Sequence, residues 1–167
     1  SAIQGSRVAG AGRIIAVDMN PESLEAARLM GATDTVNAGE VDSVVDAVRD
    51  LTKGGVEYSF EAIGLKETAE QAFEMLEIGG TATVIGMVPS NTKVEIRGID
   101  LLSEKKLQGS MMGSNQFRTD IPQMIDLYLN GRLYLDEMVS ATISLEEVNE
   151  GYNWMREGTV ARTVITF

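Results

Sequence analysis

Apolar positions in the first ninety residues follow two patterns that alternate along the chain. Short, unbroken apolar runs such as Arg13–Asp18 and Thr81–Met87 are typical of strands buried on both faces of a sheet. Segments such as Glu40–Thr52 instead carry apolar residues at helical spacing, with acidic residues on the opposite face. The patterns predict strands at 13–18, 34–38, 56–63 and 81–87, and helices at 21–30, 40–52 and 66–76. This alternation with short connections indicates an α/β fold with a doubly wound parallel sheet.

Two predicted helices carry recognisable terminal signals. Asn20 followed by Pro21 is the pattern of an N-cap and a first helical residue, and Gly31 is placed to end the same helix. Ser144 and Glu147 form the pattern of a capping box, which predicts a helix from there to about residue 156.

The last part of the chain has a less regular pattern. Val94–Ile96 is predicted as a short edge strand, and residues 99–104 as a helical turn. A helix is predicted to begin at Asp120 and end at Gly131, with its apolar residues, including Ile121, Met124 and Ile125, turned inward. Further strands are predicted at 107–112, 138–143 and 162–167.

The charge balance argues against nucleic acid as a partner. The chain has 25 acidic and 14 basic residues and a formal net charge of −11, which repels a polyanion at long range. It contains no run of 18 apolar residues and no basic segment leading into an apolar one. We therefore expect no membrane association and a cytoplasmic location.

The chain contains neither cysteine nor histidine. Thiolate nucleophiles, disulfides and thiolate metal sites are therefore excluded, and the commonest metal ligand and general base is lacking. Glu61 and Asp100 are candidate carboxylates, but their spacing does not argue for a paired acid–base site. The sequence assigns no catalytic residue and no metal ligand.

Asp18, at the end of the first predicted strand, carries the clearest functional signal. In dinucleotide-binding folds an acid at the end of the second strand accepts hydrogen bonds from the adenosine ribose and favours NAD over NADP. A solvated acid at a strand end is the alternative. The phosphate-binding glycine loop of such folds lies about 20 residues earlier, so we expect this chain to start inside the first helix. Gly10 and Gly12 precede a strand and are interpreted as a helix-to-strand turn.

Seven phrases in order give the chain a family likeness. It resembles the C-terminal part of zinc-dependent, medium-chain alcohol dehydrogenases along essentially its whole length. The phrases are GAGRIIAVD (10–18), GATDTVN (31–37), GGVEYSFEAIG (54–64), GGTATVIGM (79–87), LLSEKKLQGSMMG (101–113), EVNEGYNWMREG (147–158) and ARTVITF (161–167). The resemblance implies an incomplete Rossmann-type domain that lacks the first strand, so that the neighbours of that strand are left unpaired.

The resemblance also implies a set of NAD-binding residues. For the adenosine half and the pyrophosphate, Asp18 binds the ribose, Val17 and Ile63 flank the adenine, Gly64 allows close approach of the backbone, and Arg162 reaches the pyrophosphate.

For the nicotinamide half, the resemblance implies main-chain contacts to the carboxamide. They are the carbonyl groups of Ile85 and Ser110 and the amide of Met112. Because the glycine loop is lacking, we expect NAD binding by this chain to be weak or absent.

The implied function is that of a fragment of an NAD-dependent enzyme that interconverts an alcohol and an aldehyde or ketone. In the family, zinc is bound by Cys and His residues of a preceding domain, so this chain alone is expected to be inactive. Residues 1–113 would form the nucleotide domain, and residues 114–167 would join it to the catalytic domain. The family also implies a homodimer formed near Val94–Ile96.

Two other functions stay open at this point. The chain could be a self-associating module without cofactor, because unpaired strand edges recruit other strands. It could instead be part of a zinc-free quinone or enoyl reductase, although Asp18 disfavours the NADP that such enzymes usually prefer.

Overall fold

The computed structural model of the protein describes residues 1–158 and 162–167. Helices and strands alternate, as the sequence predicts. The described α-helices are α1 (Ala2–Val8), α2 (Pro21–Met30), α3 (Val44–Thr52), α4 (Lys66–Glu74), α5 (Phe117–Leu129) and α6 (Val148–Glu157). The described strands are β1 (Ile15–Asp18), β2 (Asp34–Asn37), β3 (Val56–Glu61), β4 (Leu76–Val84), β5 (Lys106–Gly109), β6 (Ala141–Ile143) and β7 (Thr163–Ile165). Within the described ranges, no helix combines the length and apolarity needed to cross a bilayer.

All strand pairs among the described residues are parallel, which confirms the predicted α/β class. The strands form three sheets, β1–β2, β3–β4–β5 and β6–β7, and not one continuous sheet. A ladder forms only between strands about 4.8 Å apart, and no described strand lies between β1 and β3. These two strands therefore each keep one unpaired edge, in agreement with the expectation for a domain without its first strand.

Helix α3 packs against the β1–β2 sheet and against the β3–β4–β5 sheet. Its buried residues Val44 and Val48 lie in a cluster with Val36 of β2, and Ile15 of β1 and Val56 of β3 pack against the same cluster. Hydrophobic burial on α3 thus holds β1 and β3 on one side of a single helix, although they share no hydrogen bonds.

The predicted helix signals act as expected. The Asn20 side chain accepts a hydrogen bond from the Glu22 amide, and Gly31 ends α2 in the left-handed conformation with φ 116°. The Ser144–Glu147 capping box is formed and leads into α6. Local side-chain chemistry therefore determines where these helices begin and end.

Several predicted features are wrong. Val94–Ile96 forms no strand, because no described strand of the same chain offers it a ladder. Helix α3 begins at Val44 and not at residue 40, and helix α5 begins at Phe117 and not at Asp120. Its apolar residues Ile121, Met124 and Ile125 are half exposed, because helical spacing defines an apolar face but does not supply a partner for it. Residue 161 of the last family-like phrase lies outside the described residues.

An ion pair joins the start of β1 to β2. The Arg13 guanidinium donates to both carboxylate oxygens of Asp34 over 2.8 and 2.7 Å. Hydrogen bonds from Arg13 and from Thr33 lower the pKa of Asp34 to about 2. Because the pKa is lowered in the folded state, the stabilisation is present above the ordinary carboxyl pKa and is lost as pH falls from about 4 to about 2.

We expect the Asp34→Asn variant to unfold roughly 2 °C below the wild type near neutral pH and to converge with it near pH 2, because the pair is partly exposed and its contribution is small. Thermal unfolding followed by circular dichroism at several pH values measures this difference. The control is Glu25→Gln, since Glu25 lies 3.8 Å from Arg28 in an exposed pair. A difference that persists unchanged at low pH would contradict the expectation.

Candidate cofactor-binding edge

The predicted site residues follow the carboxyl ends of parallel strands. In the ladders, Asp18 pairs with Asn37, and Glu61 pairs with Val84, which in turn pairs with Gly109. Strands β3, β4 and β5 thus end level with one another. We call the residues that end or directly follow β1, β3, β4 and β5 the carboxyl edge: 17–18, 61–64, 85–87 and 110–112. Open parallel α/β sheets bind their ligands outside this edge.

Asp18 has an acceptor available for a ligand. Its Oδ1 accepts a hydrogen bond from the Asn20 amide over 2.8 Å, which fixes the carboxylate at the end of β1. In the described part of the chain, no hydrogen bond occupies Oδ2. The neighbouring Val17 is 37% exposed and Ile63 is 64% exposed. Apolar side chains are therefore accessible to a ring at this edge, although Val17 and Ile63 belong to different sheets.

The ends of β3 and β4 approach each other closely at glycines. A Cβ atom on Gly86 would lie 2.2 Å from the Gly64 nitrogen, and one on Gly64 would lie 2.7 Å from the Met87 carbonyl oxygen. Gly64 also has a φ of 92°, a conformation that side chains disfavour. Only glycine fits at these positions, because the turn after β3 and the end of β4 pack backbone against backbone.

Main-chain groups at the ends of β4 and β5 match a carboxamide. The amide of Ile85 donates to the Glu61 carbonyl, and the amide of Ser110 donates to the Val84 carbonyl. Outside the helices and strands, no hydrogen bond of the described residues uses the carbonyl oxygen of Ile85 or the amide of Met112. The carbonyl of Ser110 lies at the start of the 3-10 turn 111–114 and keeps a second lone pair for a ligand. Two acceptors and one donor at adjacent strand ends suit an amide group, which presents two N–H donors and one oxygen.

Arg162 lies immediately before β7, and not at the end of one of these strands. Its carbonyl accepts a hydrogen bond from the Ser140 amide over 2.8 Å. Burial lowers the pKa of the Ser1 amino group, and the nearby charge of Arg162 lowers it further. The guanidinium is therefore close to the start of α1.

The two carboxylates named from the sequence have separate roles. Arg97 donates to both oxygens of Asp100 over 3.0 Å, so this acid forms a local ion pair. Glu61 is 3% exposed and bonds to the turn that follows β3. Sequence reasoning missed this role. The available signal was a carboxylate at the end of an otherwise apolar run, directly before a glycine turn.

The donor set does not fit a zinc ion. The chain has no Cys or His, and within residues 1–158 and 162–167 no cluster of three possible ligands is found. We therefore attribute no zinc-dependent step to this chain.

Comparison with known proteins agrees with this geometry. The family model for zinc-binding dehydrogenases matches residues 1–130. The S-(hydroxymethyl)glutathione dehydrogenase of Escherichia coli is 36% identical over 167 residues, which cover 99% of this chain and 45% of that enzyme. An alcohol dehydrogenase zinc-binding domain protein from Burkholderia ambifaria superimposes with a TM-score of 0.94 at 36% identity, covering 99% of this chain and 45% of that protein.

A third relative carries a cofactor. A zinc-binding dehydrogenase from Sinorhizobium meliloti, bound to NADP, has a TM-score of 0.80 at 33% identity and covers 89% of this chain and 43% of that protein. The fold is the α/β fold of these dehydrogenases. The chain belongs to the zinc-binding dehydrogenase family, and it spans about half the length of the curated relatives it matches.

Proposed function

We propose that this chain is the cofactor-binding part of an NAD-dependent alcohol dehydrogenase. The whole protein would interconvert an alcohol and an aldehyde or ketone by hydride transfer. The observation that carries the proposal is the carboxyl edge. There, an Asp18 carboxylate oxygen without a hydrogen bond among the described residues follows β1, and a glycine turn and main-chain partners for a carboxamide follow β3, β4 and β5. Family membership and the names of the relatives support the reaction class.

The residues of the edge, together with Arg162, would divide the cofactor between them. Asp18 accepts from the adenosine ribose, and Val17 and Ile63 offer apolar contact to the adenine. Gly64 lets the backbone approach the cofactor closely. Arg162 offers a fork of donors to the pyrophosphate.

The nicotinamide half would bind through Ile85, Ser110 and Met112. When bound, the nicotinamide supplies the carbon that accepts or donates the hydride. The task of this chain is to hold and orient that ring, and it contributes no zinc ligand.

Cofactor choice is the part of the proposal that Asp18 decides. A carboxylate accepts from the free ribose hydroxyls of NAD and repels the 2′-phosphate of NADP. The relative from Sinorhizobium meliloti is bound to NADP, so both cofactors belong in the test.

We expect the Asp18→Arg variant to bind NAD at least about tenfold more weakly than the wild type, because it loses charge-assisted hydrogen bonds to the ribose. The same variant should bind NADP relatively better. Isothermal titration calorimetry with each dinucleotide measures both affinities.

The matched control for this experiment is Asp50→Arg, which makes the same charge change at an exposed position of α3. It should leave NAD affinity within a factor of about two. Binding of NAD that is equal in all three proteins would overturn the assignment of Asp18. No binding by the wild type would overturn cofactor binding by this chain.

The unpaired edges of β1 and β3 favour a second candidate function, self-association without cofactor. Light scattering at micromolar concentration tests it, and a monomer contradicts it. The homodimer, the cytoplasmic location and the division into residues 1–113 and 114–167 stay predictions.

A further inference from the structure

Glu61 is a buried acid that the proposed binding scheme does not use. It ends β3, it is 3% exposed, and no ion pair within the described ranges includes it. Burying a carboxylate costs free energy unless the group is hydrogen-bonded or paired with a charge. Its partners show what it holds.

One oxygen of Glu61 organises the turn after β3. Oε1 accepts hydrogen bonds from the Ile63 amide over 2.8 Å and from the Gly64 amide over 2.7 Å. It also accepts from the Thr68 hydroxyl over 2.8 Å, at the start of α4. Three donors on one oxygen tie the strand end, the turn and the next helix together.

The other oxygen faces the end of β4. Oε2 is buried and has no hydrogen-bond partner among the described residues. A Cβ atom on Gly86 would lie 2.6 Å from it. The carboxylate therefore fills the space behind the two glycines of the carboxyl edge, on the side away from solvent.

We infer that Glu61 is a positioning residue for the dinucleotide: it shapes the Ile63–Gly64 turn on which the cofactor rests, without touching the cofactor. This inference rests on the proposed function. Without this acceptor both amides would lose their hydrogen-bond partner, and the turn would lose the bonds that fix its conformation. The acceptor of Glu61, and not its charge, is what the turn requires.

Two neutral variants of similar size test whether the turn requires the hydrogen-bond acceptor of Glu61 or its negative charge. Glu61→Gln keeps an amide oxygen that can accept from the turn, whereas Glu61→Met keeps only the volume. We expect Glu61→Met to bind NAD at least about tenfold more weakly and Glu61→Gln to stay within about threefold of the wild type. Calorimetric titration with NAD measures the affinities at a temperature where circular dichroism shows all variants folded.

Thr68→Val is the matched control, since it removes one donor to Oε1 and leaves both turn amides bonded. It should bind NAD within about threefold of the wild type. A merely structural role for Glu61 predicts instead that affinity follows thermal stability across all three variants, with no recovery in Glu61→Gln.

Amide hydrogen exchange supplies a readout that does not depend on the cofactor. Glu61→Met should lose protection at the Ile63 and Gly64 amides, and Glu61→Gln should retain it. Unchanged protection in Glu61→Met overturns the inference whether or not NAD binds.

The binding results separate the inference from the proposed function. If the wild type binds NAD and Asp18→Arg weakens that binding whereas Glu61→Met does not, the inference on Glu61 is wrong and the proposed function stands. If the wild type binds no NAD, the proposed function fails for this chain, and amide exchange in Glu61→Met still decides whether Glu61 shapes the turn.

Discussion

Replacing Gly86 with Ala should lower the free energy of unfolding by about 3 kcal/mol, because a methyl group has no room where β4 meets the turn after β3. The added Cβ would lie 2.2 Å from the Gly64 nitrogen and 2.7 Å from the Gly64 Cα. Both are backbone atoms, so no side-chain rotation can relieve the clash. The strand end or the turn has to move.

The position of Gly86 makes the effect larger than at most glycines. The Gly86 amide donates to the Glu61 carbonyl over 3.1 Å, and the Ile85 amide donates to the same oxygen over 2.7 Å. Displacing β4 therefore breaks backbone hydrogen bonds that hold the carboxyl edge together. NAD binding should be lost along with stability, since the turn that contains Gly64 and the end of β4 would be displaced.

Chemical denaturation followed by circular dichroism measures the stability change. Gly5→Ala is the matched control, because Gly5 lies in α1 and a Cβ there meets no atom within 4 Å. Alanine in a helix should stabilise the protein by about 0.5–1 kcal/mol relative to glycine. A Gly86→Ala variant as stable as the wild type would contradict the close approach of the two strand ends.

The Gln4→Ala variant should also unfold more easily, by about 3 kcal/mol, because two backbone groups lose their partner and a cavity forms. Gln4 is fully buried in α1. Its amide group donates to the Tyr134 carbonyl over 2.8 Å, and its oxygen accepts from the Tyr134 amide over 2.7 Å. Gln4 thus links the segment after α5 to the first helix, together with Arg7, which donates to the Arg132 carbonyl and stacks on the Tyr134 ring.

Amide exchange distinguishes local from global effects of this change. Protection should fall first in the segment around Tyr134, since no other described bond satisfies its amide. Gln4→Met preserves the side-chain volume but cannot form the hydrogen bonds. It should therefore regain only the part of the unfolding free energy that Gln4→Ala loses through the cavity. The exposed control Gln123→Ala should change stability by less than about 0.5 kcal/mol. Equal protection at Tyr134 in Gln4→Ala and wild type would contradict the role given to Gln4.

Much of the candidate site follows from the order of elements. Once the strands are known to be parallel, the residues after their carboxyl ends must share one edge of each sheet. Asp18, Ile63, Ile85 and Ser110 could therefore be placed there from sequence. Three other features could not be predicted from sequence, because they depend on distances between different segments of the chain. They are the available Oδ2 of Asp18, the crowding between Gly64 and Gly86, and the hydrogen bonds of Glu61.

The amino-acid sequence by itself determined the α/β class, the alternation of its first elements and the ends of the capped helix α2. These follow from side-chain periodicity and from caps such as Asn20 and Gly31, which act over a few residues. The tertiary structure alone decided the separation of β1 from β3, the exposure of α5 and the link from Gln4 to Tyr134. Each of these depends on which distant segments meet, and the pattern of apolar residues specifies that a face is buried without specifying what covers it.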